Sequence, residues 1–258
     1  MTVLVLGSTG STGRRVTDQL RARDVAVRAV SRSGPDVFDW ERPDTWTPAL
    51  DGVRAVYVMA PDGVPVDPAF LAQAAEAGVQ RLVLLSTMHP EEIGDTRLQA
   101  AEAAVRASGI NWTVVRAHWF NQNFDEGFFL PAIQAGHLAL PLADQRQAFV
   151  DATDIAAVAV EALLNDHHAQ TYEVTGPQAL TFAEACEIIS TVTHRDITFD
   201  GTPEGYLATP GATEDTLNFF LNQLQLGDSV PTTTVEHLTG RPATPFRTYA
   251  EQAAPAWT

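Results

Sequence analysis

The first 120 residues alternate short apolar runs with segments of helical periodicity, and this alternation restricts the possible folds more than any other feature. The runs are nearly continuous in aliphatic residues, as strands covered on both faces require. They are Thr2–Leu6, Val25–Ser31, Arg54–Ala60, Arg81–Ser86 and Trp112–Arg116. The helical segments between them are Thr12–Ala22, Pro68–Ala77 and Arg97–Ala107. We therefore predict an α/β fold with a Rossmann-type, doubly wound parallel sheet.

A glycine-rich turn follows the first predicted strand and opens the first predicted helix. Glycines permit positive φ and a close backbone approach to a ligand, and a helix start offers N–H groups to an anion. We predict that the turn holds the diphosphate of a dinucleotide through Gly7, Thr9, Gly10, Ser11, Thr12 and Gly13. The spacing is GxxGxxG and not the usual GxGxxG, so a turn with only a structural role is the alternative.

The end of the second predicted strand decides between NAD and NADP. An acidic residue there binds the ribose 2′-hydroxyl of NAD, whereas an arginine suits the 2′-phosphate of NADP. The strand ends at Ser31 and Arg32 with no acid, and Arg14, Arg15 and Arg28 are expected to gather nearby. We therefore predict NADP, as NADPH, in preference to NAD. The alternative is that these arginines are solvated surface residues.

The charged residues exclude several chemistries. The 16 Lys+Arg residues are all arginine, which excludes a lysine Schiff base, a P-loop lysine and a Tyr-Lys proton relay. Against them stand 32 Asp+Glu, for a formal net charge of -16. Such a charge disfavours nucleic acid and membrane surfaces as partners.

Cysteine content and hydropathy predict the protein's surroundings. Cys186 is the single cysteine, so the chain has no internal disulfide and no multi-cysteine metal site. Its helical context favours a core position, and no metal site is expected. We find no signal leader and no apolar run long enough to span a bilayer. We therefore expect a cytoplasmic monomer or homodimer that acts on a small molecule.

The pattern becomes less regular after residue 120. We predict short strands near Ala148–Val150 and Thr171–Val174, and helices near Asp154–Leu164, Phe182–Thr191 and Glu214–Leu226, with a loop over Phe199–Thr213. Residues 1–120 would form the dinucleotide-binding core. Residues 121–258 would form a smaller mixed α/β part that binds substrate and packs on the carboxyl edge of the sheet as one compact unit with a cleft.

Further motifs occur in order along nearly the whole chain. They are Val27–Arg32, Ala101-Glu102, Ala107–Ile110, Trp119–Phe124, Phe149–Asp151, Asp154–Ala156, Tyr172–Pro177 and Leu238–Pro242, with Phe246 after them. With the three glycines, they make the chain resemble the NmrA-like atypical short-chain dehydrogenase/reductases. That family includes NADP-dependent quinone and azo-dye reductase-like enzymes, isoflavone-reductase relatives and redox-sensing regulators.

The resemblance implies further cofactor contacts. Asp39 and Trp40, after a short third strand, match a pair that lies beside the adenine, with Asp39 accepting from its amino group. Residues at the ends of the next two strands would face the ribose and nicotinamide: Met59, Ala60, Pro61, Ser86 and Thr87.

The resemblance also exposes a departure from ordinary short-chain dehydrogenases. Gly94 and Leu98 stand where those enzymes place the catalytic Tyr and Lys. The usual ketone/alcohol mechanism is therefore excluded. Relatives without the dyad reduce acceptors that need little acid catalysis, or bind the dinucleotide without turning it over.

Two histidines are candidate proton donors, because histidine titrates near neutrality. His118 follows the strand that ends at Arg116 and is the leading candidate; relatives usually place Pro after that arginine. His89 follows the strand that ends at Ser86 and is the second candidate. A structural role in a loop or turn is the alternative for both.

Aromatic residues cluster after His118, namely Trp119, Phe120, Phe124, Phe128 and Phe129. Their spacing places several on one helical side. They form either core or the wall of a flat apolar substrate pocket, and we predict substrate contacts for Trp119, Phe120 and Asn123.

These observations predict an NADPH-dependent oxidoreductase that transfers a hydride to a conjugated or quinone-like small molecule without the Tyr-Lys dyad. One alternative is an NADP-sensing regulatory protein without turnover. Another is a biosynthetic tailoring enzyme, a reductase or isomerase that acts on one dedicated intermediate.

Overall fold

A computed structural model describes residues 1–258. The strands are β1 (Thr2–Val5), β2 (Ala26–Ala29), β3 (Val53–Val58), β4 (Arg81–Thr87), β5 (Asn111–Ala117), β6 (His137–Ala139), β7 (Gln170–Val174) and β8 (Thr198–Asp200). The helices are α1 (Ser11–Arg21), α2 (Trp46–Leu50), α3 (Pro68–Glu76), α4 (Thr96–Ala107), α5 (Leu130–Ala135), α6 (Ala152–Leu164), α7 (Phe182–Thr193), α8 (Pro203–Leu207), α9 (Glu214–Leu224), α10 (Thr234–Thr239) and α11 (Phe246–Ala253). No helix is both long and apolar enough to cross a membrane.

The chain forms two compact units. The first comprises residues 1–117, 152–174 and 234–241, and the second comprises 118–151, 175–233 and 242–258. Six strands of the first unit form one sheet in the order β2-β1-β3-β4-β5-β7. All neighbouring pairs are parallel, and β1 lies between β2 and β3 where the strand order reverses. The predicted Rossmann-type fold is confirmed.

Apolar sequence runs explain the core of the first unit. Strands β1 and β3 are buried at all but one position each, and β4 is buried at four of its seven, as expected for strands covered on both faces. Helix α6 is almost entirely buried and lies against α1. An ion pair of 2.6 Å between Asp154 of α6 and Arg241 connects α6 to the end of α10.

The second unit contains a largely aromatic core. Phe124, Phe149, Phe182 and Phe246 pack around one another at ring-centroid distances between 4.9 and 6.0 Å. Strands β6 and β8 form a separate parallel pair. Cys186 is buried in this core as expected, and burial raises the pKa of its thiol to about 12.

Three predicted elements were wrong. Residues 148–150 form no strand, because only Val150 pairs, through one isolated bridge to Phe120, while the neighbouring bridge to Leu180 is made by Gln147. The predicted loop over Phe199–Thr213 contains most of β8 and all of α8, since Thr202 caps that helix and Pro203 occupies its first position. No strand precedes Asp39, where Val37 forms one bridge to Ser31.

Candidate functional site

The glycine turn is shaped by two close approaches that only glycine permits. Gly7 adopts φ +64°, and a Cβ atom there would overlap the side chain of Met59. A Cβ atom at Gly13 would overlap the carbonyl oxygen of Gly7. Between them, the N–H of Gly10 donates to the Gly7 carbonyl oxygen at 2.9 Å. The turn therefore brings the start of α1 directly against the end of β1.

Helix α1 begins without a side-chain cap. Its N-cap residue is Gly10, and its first turn contains no acidic residue. In contrast, the N-cap side chains of α3, α4, α7 and α9 each accept a backbone hydrogen bond. Arg15 folds back along α1 and donates to the Ser11 carbonyl oxygen at 2.8 Å. The start of α1 thus combines backbone donors with a positive side chain, which suits an anion.

A buried hydrogen bond joins this turn to the centre of the sheet. The Tyr57 hydroxyl donates to the Thr12 hydroxyl oxygen at 2.9 Å, and both side chains are buried. Burial raises the pKa of Tyr57 far above its ordinary value, while the bond to Thr12 lowers it by a smaller amount. Tyr57 is therefore a protonated structural group, and the Thr12 side chain faces inward.

Arg28 does not join the group of arginines predicted at the end of β2. Arg28 donates to the carbonyl oxygens of Ala49 at 2.9 Å and Asp51 at 2.6 Å, and so binds the end of α2. Arg32 is exposed and makes no hydrogen bond or ion pair. The adjacent Ser31 hydroxyl is buried without a partner. The end of β2 therefore has an exposed guanidinium without a partner, at Arg32, and a buried hydroxyl without a hydrogen bond, at Ser31.

Asp39 and Trp40 have different surroundings. The Asp39 carboxylate accepts the Glu41 backbone N–H at 3.1 Å and is half-buried. Trp40 is buried and packs edge-on against Phe38, with ring centroids 5.1 Å apart. Its indole N–H donates to the Met59 carbonyl oxygen at 3.1 Å. Trp40 therefore fixes the segment of Met59, Ala60 and Pro61 that follows β3.

A buried carboxylate connects the ends of β4 and β5. Glu102 of α4 accepts the Ser86 hydroxyl at 2.7 Å and two nitrogens of Arg116, at 2.9 and 2.8 Å. Burial alone would raise the pKa of Glu102, but the bonds from Arg116 and Ser86 outweigh it and the pKa is lowered. The Ser86 side chain is thus committed to Glu102. The neighbouring Thr87 is half-buried.

His89 lies two residues beyond β4 in a left-handed conformation, with φ +53°. Its backbone carbonyl accepts the Ile93 N–H at 3.0 Å, and its half-buried imidazole makes no hydrogen bond. Gly94, at the position of the missing Tyr, also has positive φ, and Leu98 lies in the first turn of α4. Neither can donate a proton from its side chain.

His118 belongs to the second unit, where both of its ring nitrogens are engaged. Nδ1 accepts the Trp119 backbone N–H at 2.8 Å, and Nε2 lies 2.6 Å from the Ser229 hydroxyl oxygen. Because a backbone N–H can only donate, Nδ1 carries no proton, and a neutral ring must bear its proton on Nε2. His118 therefore donates to Ser229.

The aromatic cluster after His118 divides between core and surface. Phe124 and Phe129 are buried, whereas Phe128 is 62% exposed. Trp119 is half-buried and stacks on Phe129 and Phe220, with ring centroids 5.9 and 6.3 Å apart. Phe120 forms a bridge to Val150 through its backbone, and Gly127 packs against the backbone of Asn123. Phe124 and Phe129 therefore belong to the core, and a substrate wall formed by the other aromatic residues stays a prediction.

The first unit fits a dinucleotide. The glycine turn has no space for Cβ atoms, and the uncapped start of α1 offers backbone N–H groups to a diphosphate. The exposed Arg32 after β2 has no partner in the protein and suits a ribose phosphate. The glycine turn and the helix start belong to the strand–turn–helix unit predicted from the sequence, and Arg32 follows the next strand, β2.

Three features were missed in the sequence. The pairing of Glu102 with Arg116 had a signal in the sequence, because Glu102 is the one acidic residue of α4 and Arg116 is the one charged residue of β5. The bond from Tyr57 to Thr12 was signalled only by a polar aromatic residue inside a buried strand. Ser229 could not have been found, since 110 intervening residues and no recognisable motif separate it from His118.

Two curated proteins are similar to this chain over almost its whole length. Among curated proteins, a (4-alkanoyl-5-oxo-2,5-dihydrofuran-3-yl)methyl phosphate reductase of Streptomyces griseus is 35% identical, and the match covers 99% of each chain. An NAD(P)H azoreductase of Xenophilus azovorans is 32% identical, again over 99% of each chain.

Solved structures show the same fold. An NADPH-dependent quinone oxidoreductase from Escherichia coli, solved with NADPH, superposes with a TM-score of 0.75 at 18% identity. The superposition covers 98% of this chain and 99% of that one. A sequence model of the NmrA-like family matches residues 1–223. The chain belongs to the NmrA-like family.

Proposed function

We propose that this protein is an NADPH-dependent oxidoreductase that reduces a conjugated or quinone-like small molecule without a Tyr-Lys dyad. The observation that carries the proposal is the uncapped glycine turn at the start of α1, together with the uncommitted Arg32 after β2. The names of the relatives support the class, since they include a reductase and an NAD(P)H azoreductase.

The cofactor contacts follow from the donors of the first unit. Backbone N–H groups at the start of α1 would bind the diphosphate, and Arg32 would bind the 2′-phosphate. Asp39 would accept a hydrogen bond from the adenine amino group. The ribose and nicotinamide would be lined by Met59, Ala60, Pro61 and Thr87. Thr12 and Ser86 would contribute backbone atoms, because their hydroxyls are already bonded. The bound cofactor would supply a hydride.

On the acceptor side, the proposal assigns stacking to Trp119 and further contacts to Phe120 and Asn123. His118 would supply the hydrogen bond or proton for the acceptor oxygen, with His89 as the second candidate. An electron-poor conjugated acceptor needs little acid catalysis, which is consistent with Gly94 and Leu98 at the dyad positions. The lone buried Cys186 suits a reducing cytoplasm, where we place the protein.

An oxidation assay tests the proposal. Purified protein is mixed with NADPH or NADH and a panel of quinones, and absorbance at the nicotinamide band is followed. We expect NADPH to be oxidised faster than in protein-free controls and faster than NADH. Tight NADPH binding with no acceptor-dependent oxidation would contradict the proposal and favour a regulatory protein. Turnover of one dedicated intermediate alone would favour a biosynthetic tailoring enzyme.

A further inference from the structure

The amino ends of three neighbouring strands of the first unit border an open cavity of about 560 Å³. Arg54 is the second residue of β3, Arg81 is the first residue of β4, and Asn111 is the first residue of β5. Arg81 is in register with Asn111 on one side and with Ala55 on the other. The glycine turn follows the carboxyl end of β1 in the same parallel sheet. The cavity therefore lies at the opposite edge of the sheet from the turn.

Two guanidinium groups line the cavity, and each uses only part of its donors. Arg54 Nη1 donates to the Gly78 carbonyl oxygen at 3.2 Å, just beyond α3. Arg81 Nη1 donates to the Leu163 carbonyl oxygen at 2.7 Å, near the end of α6. A guanidinium has five N–H donors, and neither side chain makes a further hydrogen bond or an ion pair. The backbone thus positions both arginines and leaves donors for a ligand.

Amide and apolar side chains complete the lining. The side chains of Gln80 and Asn111 are exposed and make no hydrogen bond within the protein. Val79, Ile110 and Leu164 supply apolar surface. None of the lining residues is acidic, although the whole chain has a formal net charge of -16. The charge of the cavity is therefore opposite to that of the molecule, which favours an anion.

We propose that this cavity binds a phosphate monoester with an apolar body. The two guanidinium groups would bind the phosphate, because a planar guanidinium can donate two parallel hydrogen bonds to its oxygens. The amides of Gln80 and Asn111 would donate further hydrogen bonds, and the apolar body would contact Val79 and Ile110. The volume is typical of small-molecule sites. All the lining residues belong to the first unit, so the site needs neither the second unit nor the dinucleotide.

Calorimetric titration with phenyl phosphate tests this site. Wild type should show saturable binding. Asn111→Asp should weaken it at least about tenfold, because a carboxylate replaces an amide donor beside the phosphate. The substitution keeps the shape of an exposed side chain that has no hydrogen bond, so the fold should be unchanged by circular dichroism. Asn222→Asp is the matched control, since it makes the same change of charge on exposed α9 surface of the second unit, and it should bind like wild type.

Further titrations identify the ligand chemistry and the place of binding. Inorganic phosphate should bind more weakly than phenyl phosphate because it lacks the apolar body, and benzyl alcohol should not bind. Saturating NADPH should leave the phenyl phosphate affinity unchanged. Competition by NADPH, no saturable binding, or equal affinity in Asn111→Asp and Asn222→Asp would overturn the inference. Equal affinities for phenyl phosphate and inorganic phosphate would overturn the ester as the ligand in favour of the free ion.

Discussion

Gly13 shows how strongly one position constrains the cofactor turn. Its α-carbon lies so close to the Gly7 carbonyl oxygen that a methyl group there would overlap backbone. We predict that Gly13→Ala separates the start of α1 from β1, with a loss of stability of about 1–3 kcal/mol as for other overpacked sites. NADPH binding, measured by calorimetry, should be lost or weakened at least about tenfold.

The matched control is Gly63→Ala. Gly63 lies in a loop, unlike Gly13, and has φ +76°, but nothing stands within reach of its added Cβ atom. Only the strain of a left-handed alanine, roughly 1 kcal/mol, should then appear, with NADPH affinity unchanged. Gly13→Ala with wild-type affinity would show that the turn does not hold the diphosphate.

Tyr57 tests whether a tyrosine acid is hidden near the cofactor turn. Its hydroxyl is buried and donates to Thr12, and burial raises its pKa, so the phenol is a poor acid. We predict that Tyr57→Phe costs about 1 kcal/mol of unfolding free energy through the lost hydrogen bond, measured by urea unfolding. The rate of NADPH oxidation should stay within a factor of about two. A rate that falls a hundredfold in a folded variant would make Tyr57 the proton donor.

The sequence predicts the roles of some individual residues and not of others. The glycines were predictable, because their spacing after a strand has a specific steric purpose. Arg28 and Arg32 look equivalent in the sequence, yet one binds carbonyl oxygens at the end of α2 and the other has no partner. Their difference depends on α2, a five-residue helix with no periodicity long enough to detect.

At the scale of elements, the network around Glu102 connects α4 to the ends of β4 and β5. Its pKa is lowered because hydrogen bonds from Arg116 and Ser86 outweigh burial. The carboxylate therefore stabilises the fold above its unfolded pKa of about 4.3. This contribution is lost as pH falls through the lower, folded-state pKa.

We predict that Glu102→Gln lowers the unfolding free energy at pH 7 by about 3–5 kcal/mol, because it leaves Arg116 without its buried partner. The difference from wild type should shrink as pH falls below about 4, measured by urea unfolding at several pH values. Glu91→Gln is the control, since Glu91 also contacts Arg116, at 3.0 Å, but is 55% exposed. It should cost less than about 1 kcal/mol. An equal loss of unfolding free energy in both variants would contradict the claim that the buried contact to Arg116 stabilises the fold more than the exposed one.

Element prediction succeeded where period and length were clear. The strands of the parallel sheet and the long helices α1, α3, α4, α6, α7 and α9 lie within a few residues of the predicted bounds. The short elements α5, α8 and β6 were not predicted, because three to six residues are too few to show a hydrophobic period. The run Ala148–Val150 is apolar enough for a strand, but only Val150 pairs, through a single bridge to Phe120.

At the scale of the whole molecule, the chain returns to the first unit twice. Residues 152–174 supply α6 and the edge strand β7, and residues 234–241 supply α10. The predicted division at residue 120 assigns both segments to the C-terminal part and stays a prediction about domains. Sequence order alone does not reveal such returns, because the partner of an edge strand is set by register and packing. The pairing of β7 with β5 is an example.

Because the whole molecule is strongly negative, the proposed preference for NADPH must come from particular residues. A formal net charge of -16 repels a phosphorylated dinucleotide, so its binding depends on local donors. Arg32 would have to provide that attraction at the extra phosphate.

Calorimetric titration of NADPH and NADH into wild-type protein, Arg32→Ala and Arg28→Ala tests this central claim most directly. We predict that wild type binds NADPH more tightly than NADH. Arg32→Ala should weaken NADPH binding by about tenfold to a hundredfold and leave NADH binding unchanged, because it removes one charge-assisted contact to the extra phosphate. Arg28→Ala should keep the wild-type ratio. No binding of either dinucleotide, or an Arg32→Ala variant with an unchanged preference, would contradict it.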